Sequence, residues 1–467
     1  MGEEQREFMA RVRAFNNGAP KTFYLLSMGC QMNAHDAEKL AGMLGEMGYR
    51  ETKTEAEADL VLYNTCCVRE NAEQKVYGKL GYLKHYKAQR PDMLIALCGC
   101  MTQQAVVLEK LRKSYPQVDV VFGTFNLGRL PELLYRRLTT GEPVYDVWDA
   151  YRDGTEDLES LPACRHFAYK ASVNIMYGCD NFCTYCIVPY VRGRERSRTP
   201  EDIEAEVRRL VADGVVEVML LGQNVNSYGK GLAEPADFPG LLRRLNQIEG
   251  LRRIRFMSSH PKDLSMDLIA AMAECDKVCP QLHLPVQAGS TRLLAQMNRR
   301  YTKEDYLEKI FAVRAAMPDL ALSTDIMVGF PGETEEDFAE TLDVVRQARF
   351  ANAFTFIYSP RTGTRAAEMP DQIPAEVVKE RFDRLLATVN PLVGELHEAQ
   401  VGKTVEVLVE EVGKGGLLSG RAPNNMLVHF PGDGKLIGSF VPVRITQSHG
   451  FYLTGACAEK ESEKHSL

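Results

Sequence analysis

The sequence predicts an α/β multidomain protein: an N-terminal parallel α/β sheet domain, a central partial (β/α)6 barrel and a C-terminal small β-barrel. Three observations carry this. Apolar runs of strand length alternate with helical patterns over two separate stretches, which implies parallel sheets. Near residue 400 the alternation gives way to short strands with glycine-rich turns. The 467 residues also exceed the roughly 300 that one core holds.

Residues 1–18 are polar and charged and are expected to be a flexible N-terminus. The first domain spans 19–149. Thr22–Leu26 reads as a strand and Ala37–Met47 as a helix ending at Gly48. Asp59–Tyr63, Leu94–Leu97 and Val118–Phe122 are further strand-length runs. Residues 150–165, with Asp153, Gly154, Glu156, Asp157, Glu159 and Pro162, read as a linker.

The barrel spans 166–399. Its strand candidates are Ala171–Met176, Glu217–Leu221, Arg253–Ser258, Gln281–Leu284, Ala321–Val328 and Ala353–Tyr358. Thr199, Thr302 and Thr334 each precede an acid by three residues, a helix N-terminal signal. Six strand–helix units fall short of the eight that close a barrel, so an open one is expected. A helical pattern from Pro374 to about Ala399 leads into the last domain, 400–458, with strands at Val405–Val409, Met426–Phe430 and Phe440–Ile445. The tail 459–467 reads as solvated.

Charge excludes some functions. Lys and Arg number 56 against 63 Asp and Glu, net −7. That rules out a polybasic nucleic-acid coat but not a local basic cleft. The longest uncharged stretch, Met93–Leu108, is too short and too polar for a membrane span. The opening run lacks an apolar leader core, so a cytoplasmic protein with no membrane partner is expected.

Twelve cysteines in such a chain point to metal rather than to disulfides. Cys179, Cys183 and Cys186 lie at spacings of four and three after the first barrel strand. Three thiolates so placed can bind three irons of a four-iron cubane and leave the fourth iron open. The alternative is a zinc loop completed from a distance, although zinc sites more often use pairs two residues apart. Cys164, Cys275, Cys279 and Cys457 show no cluster spacing.

The pattern Cys-x-x-x-Cys-x-aromatic-Cys resembles the radical S-adenosylmethionine superfamily. Met176–Arg198 as a whole is similar to the methylthiotransferases of that superfamily, and the likeness covers nearly the whole chain. Met28-Gly29-Cys30-Gln31-Met32-Asn33, Asn64-Thr65-Cys66-Cys67-Val68-Arg69-Glu70 and Cys98-Gly99-Cys100-Met101 each follow an expected strand. The resemblance implies two 4Fe–4S clusters. Cys179, Cys183 and Cys186 hold the one that binds S-adenosylmethionine, and Cys30, Cys66 and Cys100 hold an auxiliary one. Whether Cys67 or Cys98 takes part stays open.

By the same resemblance, Tyr185, Gly222, Gln223, Ser258, Gln287, Asp325 and Gly329 are candidates to bind S-adenosylmethionine. All but Tyr185, in the cluster loop, lie at strand C-terminal ends, where such barrels act. Leu221–Gly229 is most like the enzymes that act on isopentenylated adenosine in transfer RNA. Asn226, Arg192, Arg194 and Arg421 are candidate substrate contacts. Arg196, Arg198 and Arg299-Arg300 add charge, whereas His260 and His283 read as structural. The last domain resembles the small RNA-binding TRAM barrel of these enzymes. Residues 401–457 carry five basic and four acidic side chains, so stacking must contribute to any RNA contact.

The implied reaction converts an isopentenylated adenosine beside the anticodon to its 2-methylthio derivative. One S-adenosylmethionine donates methyl to sulfur, and a second is cleaved to a radical. The implied partners are the transfer-RNA anticodon stem-loop, an electron donor of flavodoxin or ferredoxin type and iron–sulfur delivery proteins. Relatives acting on threonylcarbamoyladenosine or on a ribosomal-protein aspartate are the alternatives. A non-catalytic iron–sulfur RNA-binding or electron-transfer protein is the rival class.

Overall fold

The computed structural model describes every residue except 1–2, 17–19, 68–69, 153–157 and 459–467; the side chains of 70–72 and 414 also lie outside it. Val68 and Arg69, Asp153, Gly154, Glu156 and Asp157 of the expected linker, and the expected tail are therefore not described.

The N-terminus departs from expectation. Glu3–Phe15 forms helix α1, because Gln5, Met9 and Val12 recur at helical spacing and bury one face. That face packs on α5 (Leu130–Thr140), with the rings of Phe8 and Tyr135 5.8 Å apart. Polar composition hid a buried stripe of Gln5, Met9 and Val12.

The first domain continues as β1 (Lys21–Ser27), α2 (Gln31–Glu46), β2 (Tyr49–Glu51), β3 (Leu60–Thr65), α3 (Glu70–Gln89), β4 (Leu94–Gly99), α4 (Ala105–Ser114), β5 (Val120–Phe122), α5 and β6 (Val144–Asp146). All strands are parallel in the order β2-β1-β3-β4-β5-β6. Every residue of β3 and β4 is buried, as helices on both faces require.

The expected linker is partly a docked strap. Leu161 is buried, Glu159 pairs with Lys39 at 2.7 Å, and the Cys164 N–H donates to the Glu38 carbonyl at 2.8 Å. An acid that finds a buried cation across the sequence is invisible to composition.

The central domain runs β7 (Lys170–Asn174), β8 (Met176–Tyr177), α6 (Val188–Arg192), β9 (Arg196–Ser197), α7 (Pro200–Ala212), β10 (Glu217–Leu221), α8 (Phe238–Asn246), β11 (Arg253–Phe256), α9 (Met266–Glu274), β12 (Gln281–His283), α10 (Thr291–Gln296), α11 (Lys303–Ala316), β13 (Ala321–Val328), α12 (Glu335–Ala348), β14 (Asn352–Ile357) and α13 (Ala375–Glu398). Thr302 and Thr334 make reciprocal capping boxes with Asp305 and Asp337, and Thr199 accepts from the Asp202 N–H. Two parallel sheets, β11-β10-β7 and β12-β13-β14, are linked by one bridge from Ile254 to Val278. The result is an open arc of six strands around one apolar core.

β15 (Thr404–Val412), β16 (Leu418–Arg421), β17 (Leu427–Phe430), β18 (Phe440–Ser448) and β19 (Leu453–Cys457) close a five-stranded barrel. It docks on the N-terminal ends of the central strands. Arg253 donates to the carbonyls of Glu406 (2.6 Å) and Arg421 (3.0 Å); Arg255 donates to those of Ala422 (2.9 Å) and Pro423 (2.9 Å). Glu217 neutralises both arginines and Lys170 from inside the arc, 3.0 Å from Arg255. No described helix is long and apolar enough to cross a membrane.

Glu217 is 2% exposed, and so is Arg255, whose ion pair is with Glu217, so Glu217→Ala leaves that buried guanidinium without a carboxylate. The expected cost is about 3–5 kcal/mol, read as a lower thermal midpoint of the iron-free protein. An unmoved midpoint contradicts this role.

Candidate active site between two cysteine sets

In a parallel sheet the loops that follow the strands all emerge at one edge. β1, β3 and β4 are neighbours, so Cys30, Cys66 and Cys100, each just past one of them, emerge together. The order reverses at β1/β3, where open α/β sheets form their binding crevices. Asn33 braces the edge. Its amide donates to the carbonyls of Met28 (2.8 Å) and Thr65 (2.9 Å), and Asn64 donates back to the Asn33 carbonyl at 2.7 Å. Gly29 sits at φ +110° so close to Cys66 that a Cβ there would lie 2.7 Å from its sulfur.

Cys100 is buried beside two donors. The Cys67 thiol, and then Arg192 (Nε to Sγ, 3.3 Å), hold it below the ordinary thiol range against the effect of burial. The hydrogen bond to Cys100, with burial, pushes Cys67 up. Cys98 lies inside β4 and packs in the apolar layer opposite Cys100.

Cys179, Cys183 and Cys186 occupy the loop between β8 and α6, at the C-terminal edge of the central arc. Asn298 pins it through the carbonyls of Asn181 (2.9 Å) and Phe182 (3.1 Å), and Lys262 bonds the Asn181 side chain. Burial pushes Cys179 to about 11 and Cys186 to about 12. Arg299, 4% exposed, places Nη1 3.7 Å from Cys183 Sγ and 3.4 Å from Tyr185 Oη, and its other nitrogens bond Pro285 and Tyr301. Each cysteine set thus has one buried guanidinium on a sulfur.

The two edges face each other. Thr124 donates to the Val191 carbonyl at 2.7 Å, and Gln223, past β10, donates to Met32 Sδ at 2.6 Å. Gly222 has no room for a side chain, since a Cβ would lie 2.5 Å from Met176. Ser258 (φ +67°) and Gln287 (φ +69°), at the ends of β11 and β12, are non-glycine residues in the left-handed region, a strain that concentrates at functional sites. Asp325 lies 3.6 Å from His283, and the Gly329 N–H donates to buried Glu333. Buried polar atoms of Gln223, Asn226, Ser259 and His260 at this mouth have no partner, and Asn226 leaves both amide atoms unused.

The arginine expectations need correction. Arg192 is 8% exposed and turned to the first domain, because Asp36 and Cys100 neutralise it there, so it is no RNA contact. Arg198 is tied to Glu206 and Arg299 faces Cys183, leaving Arg194 exposed and paired with Asp180. Arg421 curls onto its own loop, bonding the Asn425 carbonyl at 3.0 Å, on the side away from the cysteines. Sequence reasoning quoted Asn33 without a role and missed Asp36; no local pattern announces a brace between distant loops.

The residues present fit iron–sulfur chemistry. Each set offers at least three thiols at one strand edge and an N–H donor to one sulfur, and in the first set the Cys67 thiol also lies against Cys100. Among the described residues no three Cys, His, Asp or Glu side chains close on one point tightly enough for a single ion.

Family models match three stretches: the Radical SAM superfamily at 173–345, Uncharacterized protein family UPF0004 at 22–123 and the TRAM domain at 398–457. A protein of Lachnoclostridium phytofermentans named tRNA-2-methylthio-N(6)-dimethylallyladenosine synthase is 56% identical over 444 residues, 95% of this chain and 96% of its own. Its namesake from Acetivibrio thermocellus is 55% identical, over 97% and 95%. Among solved structures, the cobalamin-dependent S-adenosylmethionine radical enzyme OxsB is similar in fold, with TM-score 0.50 and 12% identity over 81% of this chain and 56% of that one.

Gly29→Ala forces a side chain onto Cys66. Reconstituted protein is expected to lose about one cubane of iron, whereas Gly45→Ala, in α2 with open space around it, keeps its full content. Equal iron in the two variants contradicts the crowding argument.

Proposed function

The chain belongs to the radical S-adenosylmethionine methylthiotransferases, among the tRNA-2-methylthio-N(6)-dimethylallyladenosine synthases, and we propose that its two facing cysteine sets serve the two halves of their reaction. It is a transfer-RNA methylthiotransferase that converts isopentenylated adenosine beside the anticodon to the 2-methylthio derivative. The observation that carries the division of labour is the meeting of two cysteine edges across one interface, joined by Arg192 and by Gln223 with Met32.

Cys179, Cys183 and Cys186 hold the cluster that takes S-adenosylmethionine; Cys30, Cys66 and Cys100 hold the auxiliary cluster. When bound, the first would supply the electron for reductive cleavage of S-adenosylmethionine, and the second would hold the sulfur that is methylated before transfer to the base. Tyr185, Gly222, Gln223, Ser258, Gln287, Asp325 and Gly329 border the S-adenosylmethionine site. Asn226, with donor and acceptor both unused, suits the polar edge of an adenine, which combines the two. The loop base is unpaired, so presenting it costs less than flipping a duplex base. Electrons come from a flavodoxin- or ferredoxin-type donor, and iron–sulfur delivery proteins load the sites.

The last barrel contributes stacking rather than charge. His449 stacks on Tyr452 at 4.6 Å, His429 meets the same ring edge-on, and Phe451 is 66% exposed. Phe451→Ala with Tyr452→Ala is expected to weaken transfer-RNA binding by about 1–3 kcal/mol per stacked base in a filter-binding assay. Unchanged affinity removes this surface from the RNA path.

The decisive test is mass spectrometry of transfer-RNA nucleosides after reaction with reconstituted enzyme. Replacing Cys179, Cys183 and Cys186 by alanine is expected to abolish 5′-deoxyadenosine but to preserve S-adenosylhomocysteine formation. Replacing Cys30, Cys66 and Cys100 is expected to leave 5′-deoxyadenosine and remove the methylthio nucleoside. Sulfur insertion by either variant overturns the assignment.

A further inference from the structure

Arg192 ends α6, six residues after Cys186, and its guanidinium crosses into the first domain. Nε donates to Cys100 Sγ at 3.3 Å, and Nη2 donates to Asn33 Oδ1 at 2.5 Å and to Asp36 Oδ2 at 2.7 Å. Asp36 is 3% exposed. Ile187 and Val191, on the same short segment, pack in one apolar cluster with Cys67 and Cys100. The segment that leaves one cysteine set therefore forms the wall of the other.

A buried Arg–Asp pair is weak grounds for stability, since apolar residues of similar volume often serve as well. The contact to sulfur gives this one a use. Hydrogen bonds to ligand sulfurs tune the potential of iron–sulfur sites, and partners beyond the ligands orient them. A planar guanidinium can satisfy Cys100, Asn33 and Asp36 together; a lysine ammonium, compact and on a flexible stem, cannot hold the same fork.

We propose that Arg192 is a positioning residue of the auxiliary site: its N–H···S bond holds the Cys100 sulfur, and its place on α6 ties that sulfur to the loop of Cys179, Cys183 and Cys186. This rests on the assignment of the two cysteine sets made above. Arg192 sets both the electron richness of one site and its spacing from the other. Asn33 and Asp36 orient the fork.

The test uses the full chain with Cys179, Cys183 and Cys186 replaced by alanine, so that only the auxiliary site binds iron. Arg192→Lys in this background is expected to shift the midpoint potential to more negative values and to change the reduced-state electron paramagnetic resonance signal. Arg192→Met with Asp36→Asn, which removes the pair without stranding a charge, is expected to do the same. With the three cysteines restored, Arg192→Lys is expected to raise 5′-deoxyadenosine formed per methylthio nucleoside several-fold. Parental potential, signal and ratio in these variants overturn the role of Arg192 alone. A parental triple variant that binds no iron overturns the auxiliary-site assignment, and the proposal with it.

Discussion

Strand direction is the constraint on which the rest of this molecule depends. A parallel sheet sends every strand-to-helix loop out at one edge. The first sheet and the central arc of two sheets place cysteines from distant stretches within reach of each other without any local motif longer than a loop. Antiparallel pairing of β1 with β3 would put Cys30 and Cys66 at opposite edges. The chemistry therefore depends on the buried apolar runs of β3 and β4 as much as on the thiols.

The second theme is the handling of buried cations. Arg192, Arg253, Arg255 and Arg299 are each at most 8% exposed. Each is satisfied by carbonyl oxygens, carboxylates or sulfur, as a desolvated charge requires. Three of these sit at the two junctions between domains, and Arg299, between α10 and α11, sits against the cluster loop. Rigidity is concentrated where relative placement matters, and uncommitted polar atoms are left at the mouth, around Asn226 and His260.

Much of the fold was legible because long strands and capped helices carry their own signatures. Thr302 and Thr334 announced α11 and α12, and β10 and β13 stand where alternating apolar runs placed them. β2 and β6 were not seen, because Tyr49-Arg50-Glu51 and Val144-Tyr145-Asp146 mix apolar and charged residues within three positions and form no apolar run. Helix α1 and the strap at Glu159 were missed because their stability comes from partners more than a hundred residues away. The cysteines stand where the sequence places them, in the loops after β1, β3, β4 and β8. The site was not legible in its arginines. The run from Arg192 to Arg198 reads as one basic surface, yet its members divide between an interior sulfur, an interior carboxylate and solvent. Side-chain direction, which composition does not encode, makes that division.

The closing barrel sits on the strand N-terminal ends of the arc, and both cysteine sets lie at the opposite ends. The eight residues of β13 separate these faces by about 26 Å. A nucleic acid that touches both must pass along the flank of the arc like an object between the jaws of a caliper. A free nucleoside can fill only one jaw. The separation of the two faces, and not only the chemistry at either one, distinguishes a folded RNA from its free nucleoside.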